Sequence, residues 1–339
     1  MPFRSFLHAV HDRMSSRSPS PAGTAIASTT KSSPSPKPQD STSNLYSRRS
    51  KSRSPAPPHH VSKQIITPPA SRDTSATRPD ASPQRQRRPR RRLRVQVPLY
   101  IYPTANAWEP LFIAMAAHPD LQFDIVVNPF NGPGPDALPD ENYIAQMTRL
   151  RQHSNVTVYG YVHISWAERS LEDVLNDVRA YEGWNTASQP GADKDIHVDG
   201  IFVDEAPYHP RSMGYMSSLH AHIRRTLSRG ALVWTNPGCP VAAAYYNHAD
   251  RITAFEASFA DWDERGGFLQ GFEGGSKEKR KTGVMVHSCP REKVADVLAT
   301  CKEEGADGVF VTDLRGYEGW GRGWAEWVRI VADEVEAAS

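Results

Sequence analysis

The chain is poor in cysteine, with only Cys239, Cys289 and Cys301 in 339 residues. An odd count of three, with no metal-ligand spacing, excludes a framework of several disulfides and a zinc knot. Free, packed thiols in a reducing compartment are expected. No run of about 18 apolar residues occurs, so no membrane span is expected. A secretory leader is not expected either, because Phe3 to Val10 is short and broken by Arg4, Ser5 and His8. The start is instead Arg/Ser-rich and mildly amphipathic through Phe3, Phe6, Leu7, Val10 and Met14, which suits an organelle presequence.

Acidic residues are scarce in the first 93 positions, where four Asp and no Glu face 18 Lys and Arg. Ser, Pro, Thr and Arg dominate and apolar periodicity is absent, so residues 1–93 are expected to be a disordered basic tail. The density of arginine from Arg85 to Arg94 could contact nucleic acid, anionic lipid or another anionic partner. A solvated linker is the simpler reading. Residues 94–339 are left with 22 basic and 34 acidic residues, so a near-neutral total conceals a basic tail on an acidic domain.

From Arg94 onward, short apolar runs alternate with amphipathic stretches. Strands are predicted over 95–102, 123–128, 156–162, 198–204, 231–236, 252–256, 283–287 and 308–312. Helices are predicted over 107–117, 142–153, 170–181, 212–228, 241–248, 291–304 and 324–337, and the Gly-rich 266–281 stretch is the least helical connection. Continuous apolar strands argue for a sheet covered on both faces. Eight such units in residues 94–339 predict a single α/β domain, a (β/α)8 TIM-type barrel. A doubly wound open sheet is the alternative, but no glycine-rich phosphate loop follows the first strand.

In such a barrel the carboxyl ends of the strands list the site. Gly200-Ile-Phe-Val-Asp-Glu205 places Asp204 and Glu205 after the fourth strand, and Thr253-Ala-Phe-Glu256 places Glu256 after the sixth. The remaining ends offer Tyr100 and Tyr102, Asn128 and Asn131, Tyr161 and His163, Asn236, His287, and Asp313 with Tyr317 nearby. Carboxylates among aromatic rings and amides suit acid/base and nucleophile work on a sugar acetal. Consecutive strand residues point opposite ways, so Asp204 and Glu205 share a pocket only if the strand ends between them, as Pro207 suggests. No His-x-His or His-x-x-x-His pair sits at a strand end, so neither metal nor cofactor is expected. Phosphate chemistry lacks its Lys or Arg, and a Ser or Cys nucleophile lacks its elbow.

Five strings resemble one family in the same order: Asn128-Pro-Phe-Asn-Gly-Pro-Gly134, Gly160-Tyr-Val-His163, Gly200-Ile-Phe-Val-Asp-Glu205, Asn236-Pro-Gly238 and Phe255-Glu256. Together they look like the spherulin-4-like family (spherulation-specific family 4), similar to glycoside hydrolase family 135. The resemblance implies a barrel hydrolase that cuts galactosaminogalactan inside α-1,4-linked N-acetylgalactosamine stretches. It carries the family's essential carboxylates onto Asp204, Glu205 and Glu256. The implied members are secreted or membrane-anchored, whereas this chain shows a basic tail, and Phe130 stands where a small or polar residue is expected. The expected roles are Glu205 as acid/base, Glu256 as nucleophile or stabiliser, and Asp204 as charge balance or orienter of the acetamido group. An amino-sugar polysaccharide and a monomeric protein are expected. The alternatives are an idle barrel that binds carbohydrate or protein, and a hydrolase of another α-galactosaminide or galactoside.

Overall fold

A computed structural model describes residues 93–188 and 194–336. Within them, strands β1 Arg94–Leu99, β2 Phe123–Val127, β3 Val156–His163, β4 Gly200–Asp204, β5 Leu232–Thr235, β6 Arg251–Ser258, β7 Thr282–His287 and β8 Gly308–Val311 form a closed barrel in chain order. Every pairing is parallel, and β8 closes on β1 through Arg94 opposite Gly308. Helices α1 Glu109–Ala117, α2 Glu141–Leu150, α3 Leu171–Ala187, α4 Met213–Thr226, α5 Phe259–Arg265, α6 Ser276–Lys279, α7 Val294–Glu304 and α8 Trp324–Glu336 lie in the connections. The fold is a (β/α)8 TIM-type barrel. The expectation of disorder over 1–92 lies outside the described residues; Leu93, assigned above to the tail, is buried in the core.

The helices form where caps and apolar spacing agree. Asp140 caps α2 by accepting from the Tyr143 amide at 3.0 Å, and the helix buries Tyr143, Met147 and Leu150 at helical spacing. Ser170 caps α3 in the same way through Asp173, and Val174, Val178 and Tyr181 face the sheet. Several bounds differ from expectation: β1 stops at Leu99 rather than 102, α3 runs to Ala187 rather than 181, and two connections are built differently. Residues 241–248 form a 3-10 turn, Ala243–Asn247, because Ala242 at its head has no side-chain oxygen to cap a longer helix. After β6 the helix begins early, at Phe259 behind a Ser258–Asp261 capping box, and ends on Gly266 at φ 66°.

Inside the barrel, side chains stack in layers. Tyr159, Phe202 and Trp234 meet edge to face, with Phe202–Trp234 centroids 4.8 Å apart, and the Trp234 indole donates to Thr253 Oγ1 at 2.9 Å. Below them, at the amino-terminal ends of the strands, buried Asp124 accepts from Arg251 Nε at 2.7 Å and lies 3.5 Å from Arg94. That network ties β1, β2 and β6 together at the end opposite the site. Packing also sets the position of β3: a side chain on Gly160 would meet the Tyr181 ring at 2.6 Å, and with glycine there α3 closes in. The Tyr181 hydroxyl then donates to the Tyr161 carbonyl at 2.9 Å.

Candidate active site

Tyr161 follows Tyr159 on the interior face of β3, and Asp204 follows Phe202 on that of β4. Alternation along parallel strands therefore carries both to the carboxyl-terminal mouth. There the Tyr161 hydroxyl donates to Asp204 Oδ2 at 2.7 Å. Asn236 follows the last residue of β5 and continues the sheet, its amide donating to the Val203 carbonyl at 2.8 Å. Its side-chain nitrogen lies 2.8 Å from Asp204 Oδ1 and 2.5 Å from Glu256 Oε2, so one amide bridges two carboxyl groups. The turn after it, Asn236-Pro-Gly238, needs glycine because Gly238 sits at φ 65° and its carbonyl accepts from the Glu256 amide at 3.1 Å.

Glu256 reaches the mouth through an irregularity. Thr253 faces the interior, where it accepts from Trp234, so unbroken alternation would bring Phe255 inward. The register of β6 against β7 slips between Thr253 and Phe255. Phe255 accordingly packs outward on Trp262 of α5, at 5.0 Å between centroids, and Glu256 faces in. Its Oε1 accepts from the Tyr317 hydroxyl at 3.0 Å. Tyr100 closes the ring edge to face with Tyr161 at 5.7 Å and Tyr317 at 5.9 Å.

Glu205 reaches the mouth by a different device. The strand ends at Asp204, and Glu205 adopts φ 52°, a left-handed conformation that costs a non-glycine residue about 1–2 kcal/mol. Its carbonyl accepts from the Trp166 amide at 2.7 Å, within a stretch where Ser165, Trp166 and Ala167 also have positive φ. The carboxyl group turns toward β3, where Oε2 accepts from Ser165 Oγ at 3.3 Å and lies 3.7 Å from His163 Nδ1. Four strained residues around one carboxyl group fit a functional location. Glu205 lines a groove of about 390 Å³ with Phe130 to Gly134, His163, Ser165, Arg169 and Asp177.

Burial governs the electrostatics. Desolvation and then the Glu256 charge push the Asp204 carboxyl up to about 7, against the hydrogen bond from Tyr161. Burial raises Glu256 as well, opposed by its bonds from Asn236 and Tyr317. Two carboxyl groups on one amide therefore titrate as a unit, and both are shifted toward the protonated form. Burial and the neighbouring carboxylates raise Tyr161 and Tyr317, so both remain donors.

The other expected residues have varied surroundings. Asn131 and His163 line the groove. Tyr102 is 43% exposed and bonds Asp140 and Asn142, each at 2.9 Å, at the head of α2. Asn128 Oδ1 accepts from the Gly132 amide at 2.9 Å and so shapes its own loop. His287 Nδ1 lies 3.1 Å from Ser288 Oγ. Asp313 accepts from the Arg322 amide at 3.0 Å and braces the loop after β8. Tyr317, noted in the sequence beside Asp313, reaches Glu256, and Ser165, Arg169 and Asp177, not among the expected residues, join the groove. Only the Gly- and aromatic-rich stretch around Tyr317 signals any of them in the sequence. Among the described residues, no group of three or more His, Cys, Asp or Glu could hold a metal ion, and no helix is long and apolar enough to cross a membrane.

Comparison with known proteins places the chain among relatives of the same fold. Aspergillus clavatus Sph3, whose crystal structure is in complex with GalNAc, is 32% identical and superposes with a TM-score of 0.66 over 71% of this chain and 98% of that one. Spherulin-4 of Physarum polycephalum is 28% identical over 238 residues, 65% of this chain, and the match spans 63% of the length of that relative. The model of the spherulation-specific family 4 matches residues 94–331. Matched by the family model over residues 94–331, which include all eight strands of the barrel, the chain belongs to the spherulation-specific family 4.

Proposed function

We propose that the protein is a glycoside hydrolase that cleaves α-1,4-linked N-acetylgalactosamine stretches in a galactosaminogalactan-like polysaccharide. The observation that carries this reading is the bridging of Asp204 and Glu256 by the single amide of Asn236; Glu205, next to Asp204 in the chain, lines an open groove. Family membership and the likeness to Sph3, a barrel crystallised with GalNAc, support the same substrate class.

The chemistry follows from who holds the proton. Asp204, the more buried partner, keeps the shared proton, which leaves Glu256 ionised and half-buried at the mouth. Glu205, in its acid form, protonates the glycosidic oxygen as the bond to the anomeric carbon breaks, and the leaving sugar departs as an alcohol. Glu256 stabilises the oxocarbenium-like centre, by attack or by charge, while Asp204 is placed to orient the acetamido group. Glu205, now ionised, takes a proton from the incoming water as the water oxygen bonds the anomeric carbon and Glu256 is released as a carboxylate, which restores both groups. The acidic balance of residues 94–339 suits a neutral or cationic polymer and repels an anionic one.

The test is reducing-end release from an N-acetylgalactosamine polymer. Glu205→Gln and Glu256→Gln should each lower turnover by roughly 10²–10⁴. Undiminished turnover in both variants sinks the assignment. Binding without release by the folded wild type would leave an idle carbohydrate-binding barrel.

A further inference from the structure

The groove beside Glu205 is not filled by the chemistry assigned to the Asp204–Glu256 pair, and its shape is fixed by the protein itself. Asn128 to Gly134 forms a tied loop: Asn128 Oδ1 accepts from the Gly132 amide, the Phe130 amide donates to the Gly132 carbonyl at 3.1 Å, and the Tyr143 hydroxyl donates to the Asn128 carbonyl at 3.3 Å. Asn131, Gly132 and Gly134 hold positive φ values of 51°, 148° and 93°. This loop presents the Phe130 ring to solvent at 68% exposure, among the most exposed large apolar side chains described. Arg169 also lines the groove, and its guanidinium is already held, donating to Asp177 Oδ2 at 2.6 Å and to the His163 carbonyl at 3.0 Å.

We infer that this groove is a second sugar subsite and that Phe130 is its stacking platform, setting a preference for extended amino-sugar chains. The inference rests on the hydrolase reading above and adds a residue to it. An aromatic ring offers the apolar face of a pyranose a flat partner, and fixed polar groups opposite it receive the hydroxyls. Because the loop and the guanidinium are held before binding, little ordering is lost when a sugar enters. A volume of about 390 Å³ is within the ordinary range of small-ligand sites, and Glu205, one wall of this groove, is the chain neighbour of Asp204.

The experiment titrates N-acetylgalactosamine oligomers of increasing length into the full chain carrying Glu256→Gln, by calorimetry, with thermal melting to verify folding. Affinity should rise with length. Adding Phe130→Ala should erase that rise, on the order of tenfold for the longer oligomers, while Phe130→Trp keeps it. Ile113→Ala, at an exposed apolar position on α1, serves as the control and should keep it too. Equal affinities with and without Phe130, at every length, overturn the inference. If wild type hydrolyses the polymer but Phe130→Ala binds like its parent, only this subsite fails. If no oligomer binds and no polymer is cleaved, the hydrolase reading fails with it.

Discussion

Asp204 and Glu256 come from strands on either side of β5 and meet on one nitrogen atom, the side-chain amide of Asn236, at 2.8 and 2.5 Å. Burial shifts both carboxyl groups toward the protonated form, which lessens their mutual repulsion, and donors surround them. Tyr161 supplies the outer donor to Asp204, and Tyr317 supplies it to Glu256. The arrangement sets up a mouth in which the protonation of one carboxyl group determines that of the other.

Asn236 is therefore the residue whose loss separates the pair. Asn236→Leu removes the shared donor, leaving two buried carboxyl groups to repel each other. We expect turnover on the polymer to fall by about 10²–10³, the usual cost of a preorganised donor. A loss of less than threefold would show that the bridge is incidental.

The raised Asp204 carboxyl makes a signed prediction about stability. Its folded value, about 7, lies above the ordinary value for an unfolded aspartate, so between roughly pH 4 and 7 the folded state holds a proton that the unfolded chain has released. The favourable contribution is complete below that window and disappears as pH rises through it. Melting temperatures of wild type should fall across this range more steeply than those of Asp204→Asn, which cannot ionise. Parallel curves would contradict the assignment.

Glu205 offers a test of strain against function. At φ 52° glycine fits without penalty and alanine does not, so Glu205→Gly should be about 1 kcal/mol more stable than Glu205→Ala. Both should be inactive. Chemical denaturation of the two variants gives the difference directly. Equal stability would show that the left-handed backbone costs nothing.

The far end of the barrel should behave oppositely. Arg251, with a side chain 11% exposed, pairs with fully buried Asp124 at 2.7 Å. Arg251→Ala leaves that carboxylate short of its main partner and should cost about 3–5 kcal/mol of stability. The shape of the pH–activity profile should not change while the protein remains folded, because the network lies at the end of the strands away from the mouth. A shifted profile would mean that the two ends are coupled.

Much of the barrel is legible because its signals are local. Continuous apolar runs such as Ile201-Phe-Val203 mark strands buried on both faces, and caps such as Asp140 and Ser170 mark helix starts within a residue or so. The strand-end rule then addresses Asp204, Asn236 and Glu256 to the mouth. The limits are equally specific. The helix expected over 241–248 lacks a capping side chain and shrinks to a 3-10 turn. Asn128, Tyr102 and Asp313 do stand beyond strand ends, yet their polar atoms are engaged by loop amides and the head of α2. Counting from strand ends locates a backbone position, not a hydrogen-bond partner.

The order of strands and helices and the positions of the carboxyl groups along the chain were written in the sequence, because each depends on neighbours a few residues away. Three things were decided only in the folded barrel. The slip in β6 turns Glu256 inward, the left-handed backbone at Glu205 aims its carboxyl group into the groove, and Asn236 takes both Asp204 and Glu256 as acceptors. Each depends on which strands lie side by side and how closely they pack, and contacts between distant segments exist only once the ring of strands has closed.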